Sequence, residues 1–118
     1  MGLFKKYDPI KDKQKKFSEL EHSSGNPELV NFQKATWLTS RGNNFGQKKM
    51  YEEAKADFEE AIILKSDHLP AHISLAVVYR ELGDEARALQ ILEEAPEKMM
   101  FDGKVITTKI EALEGSSQ

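Results

Sequence analysis

The sequence has no cysteine. Disulfides, thiol catalysis and thiolate-based zinc sites are therefore excluded. Proline is scarce, with four residues in 118, which argues against a proline-rich disordered chain. Long hydrophobic runs are also missing. The longest, such as Ala61-Ile62-Ile63-Leu64, fall well short of the about 20 residues that cross a bilayer. The N-terminus carries Lys5 and Lys6 but no apolar stretch of signal-peptide length. Lys6 also stands where N-myristoylation requires Ser or Thr. These absences predict a cytoplasmic protein with no membrane span.

What remains is 39% hydrophobic and 31% charged. That balance suits one soluble, charge-rich, all-α domain. The net charge of −3 is unevenly spread. Lysines 5, 6, 11, 13, 15 and 16 outnumber Asp8, Asp12 and Glu19 in the first twenty residues. The rest of the chain is acidic, which disfavours nucleic acid as a partner.

The strongest internal signal is a repeat. Ala54, Phe58 and Ala61 share one helix face, and Ala88, Leu92 and Ala95 repeat them 34 residues later. Gly42 pairs with Ala76, and Phe45 with Tyr79, at the same interval. A period of about 34 residues is the mark of stacked helix–turn–helix units.

Taken in order, Asp8-Pro9 opens a helix over about 9–21, with Asp as cap and Pro in the first position. Its apolar stripe is thin and rich in lysine. Residues 1–25 are thus expected to form a basic extension, partly helical or disordered, that docks Phe17 and Leu20. Asn26-Pro27-Glu28 restarts a helix over about 27–47. Gly42 lies inside it, and a mid-helix Gly costs about 1 kcal/mol against Ala. Close approach by the partner helix offsets that cost, with Ala54 as the expected facing residue.

Helix two spans about 51–65. Glu52, Glu53, Asp57 and Glu60 are expected to face solvent from it. Pro70 opens helix three, over about 70–82. Gly83-Asp84 is a tight turn, helix four covers about 85–95, and Pro96 ends it. Residues 104–114 carry Val105, Ile106, Ile110 and Leu113 at helical spacing. They read as a capping helix over Tyr79, Leu89 and Leu92, followed by a flexible tail at 115–118.

No catalytic constellation emerges. His68 and His72 are four apart, but Pro70 puts the helix start between them and no third ligand is near in sequence. Gly42 to Lys48 lacks the spacing of a phosphate loop. The chain is therefore read as non-enzymatic, with no cofactor and no metal.

Gly42, Phe45, Tyr51-Glu52-Glu53-Ala54, Phe58 and Ala61 resemble the tetratricopeptide repeat, as do Leu75-Ala76, Tyr79, Gly83, Ala88 and Ala95. The resemblance implies repeats over about 35–68 and 69–102, within a helical region of 26–114 stacked as a short right-handed superhelix. Arg41 departs from it, standing where Leu is usual. The resemblance further implies a concave groove formed by the first helix of each unit. Its residues would be Thr36, Thr39, Ser40, Asn43 and Gln47 from the first unit. The second would supply Ile73, Ser74, Val77, Arg80 and Glu81. Such a groove suits a peptide or protein segment, with amides and hydroxyls bonding its backbone.

Two alternatives follow. Met99, Met100 and Phe101 form an apolar trio suited to self-assembly or to a larger complex, so a monomer or weak homodimer is expected. Some relatives grip a chaperone's C-terminal carboxylate. Here only Asn43 clearly matches that cluster. Thr39 and Ser74 replace a lysine and an asparagine, Lys104 matches one further basic position, and Thr108 replaces the other.

Overall fold

The computed structural model describes residues 6–96 and the backbones of Met99–Phe101 and Lys104–Ile106. Five helices run in order: α1 (Pro9–Ser23), α2 (Pro27–Gln47), α3 (Tyr51–Leu64), α4 (Leu69–Glu81) and α5 (Glu85–Glu94). Each start has a local cause. The Asp8 side chain accepts from the Ile10 and Lys11 amides, and Asn26 accepts from Glu28 and Leu29. These bonds satisfy donors that have no partner within the helix. Asp84 caps α5 through the Arg87 amide.

The helix ends also repeat. At the end of α2, the Met50 amide donates to the Phe45 carbonyl and Lys49 to Gly46. At the end of α4, Asp84 donates to Tyr79 and Gly83 to Arg80. Both are the crossed pair of bonds that closes a helix through one left-handed residue. That residue is Gly83 at φ 90° in one copy and Lys49 at φ 62° in the other. The same turn thus recurs 34 residues on, with glycine in only one copy.

The helices pack around small residues. Phe45, Ala54, Phe58, Leu75 and Val78 form one buried cluster, joining α2, α3 and α4. Ala35, Leu38, Ala61 and Ala71 form a second, on which Phe17 and Trp37 pack. Ala76, Ala88 and Leu92 join α4 to α5.

Gly42 differs from expectation in one respect. A Cβ built there would lie 2.5 Å from Cε1 of Phe58, so it is this ring that approaches, not Ala54. In the second unit Ala76 carries the Cβ, and the smaller Leu92 replaces the ring. The two copies exchange volume between facing positions and keep the same packing.

Two other expectations need correction. Lys104–Ile106 is a strand, not the start of a helix, and pairs antiparallel with Met99–Phe101. Residues 107–114 of the expected cap lie outside the described residues. Leu89, which that cap was to cover, is 48% exposed. Leu92 is buried against Ala76 and Ala88. On α3, Asp57 is buried and Glu60 pairs with Lys13 at 2.7 Å, so only part of the acidic set faces solvent.

His68, at the α3–α4 joint, is 3% exposed. It meets the Phe32 ring edge-on at 5.8 Å, and its Nδ1 is enclosed without a hydrogen-bond partner among the described residues. Burial holds its pKa below the ordinary 6.5. His72 and Lys65 push the same way, against the opposing charge of Asp67. The folded imidazole therefore stays neutral at pH values where the unfolded chain takes up a proton. Stability is unaffected above pH 6.5. It falls as pH drops from there toward the folded value, by at most about 1.4 kcal/mol per pH unit. Thermal melts between pH 7 and 5.5 should show this loss, and His68→Leu should remove most of it. Equal acid sensitivity in the variant would contradict the assignment.

Candidate functional site

α2 and α4 are the first helices of the two units, and they lie side by side. Between them is an open cavity of about 450 Å³. Its floor is apolar, from Tyr51, Phe58 and Val78, with Ile73 and Val77 on the α4 wall. Asn43 and Gln47 stand on the α2 side, and Ser74 and Glu81 on the α4 side. Amide and hydroxyl groups thus flank apolar surface. This arrangement can bond a peptide backbone while burying one of its side chains. Glu81 is the one charged residue among those lining the cavity.

Six of the ten groove residues expected from the sequence meet here: Asn43, Gln47, Ile73, Ser74, Val77 and Glu81. The other four do not line the cavity. Thr39 is buried, and its hydroxyl donates to the Ala35 carbonyl of its own helix. Thr36 is exposed a turn earlier, and its hydroxyl bonds back to Phe32. Ser40 faces a different cleft, on the other side of α2. Arg80 is half-buried outside the cavity wall. The floor residues Tyr51 and Phe58 were missed as groove residues because their aromatic, core-type pattern reads only as packing.

The second feature is ionic. Arg41 reaches Asp57 through two parallel bonds, Nε to Oδ2 and an Nη to Oδ1, both 2.8 Å. The guanidinium also donates to the Pro9 carbonyl at 2.7 Å and lies over the Trp37 ring at 4.7 Å. Burial alone would lower its pKa. The hydrogen bonds and charge of Asp57 outweigh that, so its pKa is raised and it stays charged at every working pH. Arg41 therefore ties the start of α1 to the helical hairpin, alongside the Lys13–Glu60 and Lys34–Glu21 pairs.

Among the described residues no group of three or more His, Cys, Asp or Glu is arranged to hold a metal. The His72 Nε2 lies 2.8 Å from the Ser66 carbonyl oxygen. No described helix is long and apolar enough to cross a membrane. The side chains of Met99–Phe101, invoked for self-assembly, lie outside the described residues.

Two helical hairpins set side by side at a constant interval, with an open trough between their first helices, define a helical-repeat protein of the interaction type. The family model described as tetratricopeptide repeat matches residues 47–105, half of the chain. The chain belongs to the tetratricopeptide-repeat family. Proteins of this family are typically modules for protein–protein interaction, not catalysts. Neither a curated protein nor a solved structure gives a significant match.

Proposed function

We propose that the α2–α4 trough holds an extended or helical segment of a protein partner, without catalysis. The observation that carries this reading is the trough's composition, an apolar floor flanked by Asn43, Gln47 and Ser74. One apolar side chain of the segment sits against Ile73 and Val77, and the amides bond its backbone. A free carboxylate terminus is disfavoured, because Glu81 is the charge on the wall. Chaperone tails ending in acidic residues are therefore poor candidates.

Photo-crosslinking tests this. A benzophenone side chain at position 77 should capture a partner from cell extract. The same group at position 63, where Ile63 is 82% exposed, should not. Asn43→Ala should then weaken binding of the captured segment about fivefold, the worth of one hydrogen bond of about 1 kcal/mol. Equal capture from both positions would refute the reading.

A further inference from the structure

On its other flank α2 borders a larger cleft, of about 570 Å³. Trp37, Ser40, Arg41 and Asn44 line it from α2, with Lys48 just past the helix end and Tyr7 and Asp12 on the α1 side. The repeat itself says what belongs there. Moved on by 34 residues, Trp37, Arg41 and Asn44 become Ala71, Leu75 and Val78 of α4. That face of α4 is covered twice. α3 lies on one side, and α2 lies on the other through Leu38, Ala35 and Phe45.

On α2 the equivalent face has one cover only. α1 takes the role that α3 takes for α4. It runs antiparallel to α2, as Glu21–Lys34, Phe17–Trp37 and Asp12–Arg41 pair in opposite order along the two helices. It also reaches across to α3 through Lys13 and Glu60. Among the described residues no helix stands beside α2 as α2 stands beside α4. The cleft is that vacant place.

We propose that this cleft docks an amphipathic helix with acidic flanks, supplied by a partner protein. A helix is the element that the second unit places on the same surface. The apolar part is Trp37 and Phe45 with Met50, which is 40% exposed. The polar part explains why the site is not closed permanently. Asn44 stands where α4 has the buried Val78, so less apolar area rewards burial. Asp12 accepts from the Tyr7 hydroxyl at 2.7 Å and lies 3.7 Å from Arg41, whose own charge is spent on Asp57. Lys48 is exposed at the far end and makes no ion pair among the described residues. A carboxylate on the incoming helix complements it. This surface is separate from the α2–α4 trough.

Trp37 is the single tryptophan of the chain and reports directly on the cleft. The probe is a blocked helical peptide of about 20 residues, with leucines along one face and glutamates beside them. Adding it should shift Trp37 emission to the blue with saturation. A lysine-flanked version should bind about tenfold more weakly, and Lys48→Glu should reverse that preference. Val77→Asp, in the trough, should leave the titration within about twofold. No emission change, equal affinity for the two peptides, or loss of binding in Val77→Asp would each overturn the proposal. So would a dimer in sedimentation that Lys48→Glu dissociates, since a second copy would then be the occupant.

Discussion

Arg41→Leu is expected to destabilise the fold by about 3–5 kcal/mol, although it restores the residue usual at that position. The reason lies on α3. Asp57 is 5% exposed, and both its oxygens are bonded to the guanidinium at 2.8 Å. Removing Arg41 leaves a carboxylate enclosed without its cation. Desolvation then opposes folding with nothing to offset it. Replacing both partners by apolar residues removes the charge as well as its partner, so Arg41→Leu/Asp57→Leu should recover most of the loss. The double variant still lacks the bond to the Pro9 carbonyl and the contact with Asp12. α1 buries no residue of its own. It should therefore exchange its amide hydrogens faster in the double variant, while α3 and α4 keep their protection. Denaturant melts with residue-resolved hydrogen exchange measure both effects. A single variant as stable as wild type would show that the pair is solvated.

The second large effect concerns Gly42. Alanine there gains about 1 kcal/mol of helix propensity. Its Cβ, however, meets the Phe58 ring at 2.5 Å, and that ring is 1% exposed and cannot swing away. Overpacking of this kind costs about 1–3 kcal/mol, so a net loss of up to about 2 kcal/mol is expected for Gly42→Ala. Phe58→Ala should cost about 3–5 kcal/mol by leaving a cavity. Phe58→Leu with Gly42→Ala reproduces the Ala76–Leu92 arrangement of the second unit. The pair should be more stable than the sum of the two single changes predicts. A double-mutant cycle by urea unfolding reads that coupling, and strict additivity would contradict direct contact.

Much of this architecture is legible in the sequence, for identifiable reasons. Asp8-Pro9, Asn26-Pro27 and Gly83-Asp84 mark helix ends through local hydrogen bonds, and local chemistry survives packing. The 34-residue interval fixes how the two hairpins correspond. What the sequence hides lies mostly in tertiary pairing. Asp57 is three residues after Ala54 and four before Ala61, on the buried face. Arg41 sits in the same relation to Leu38 and Phe45. Two opposite charges at core spacing on adjacent helices signal a buried pair, but a rule that sends charges to solvent hides it. The strand at Lys104–Ile106 also has a signal. Asp102-Gly103 is a favoured hairpin dipeptide, and it competes with the helical spacing of Val105 and Ile110.

The trough was legible in part. Residues at helical spacing on α2 and α4 converge where they point toward each other, as Asn43 and Val77 do. Thr39 faces the core, where its hydroxyl stays satisfied by the Ala35 carbonyl of its own helix. The first helix shows only as a basic, thinly apolar segment. Its anchors, Arg41, Glu60, Lys34 and Trp37, all lie beyond the helix, and periodicity within α1 cannot reveal them.

Binding in the trough requires α2 and α4 to lie alongside each other with the cavity open between them. The chain has no cysteine, so Asn43→Cys accepts a single spin label without background. Paramagnetic broadening should then be strong at the amides of Ser74 and Val77, across the trough, and weaker at Glu93 and Glu94 on α5. Broadening confined to α2, or stronger on α5 than on α4, would contradict the stacked arrangement and the binding site built on it.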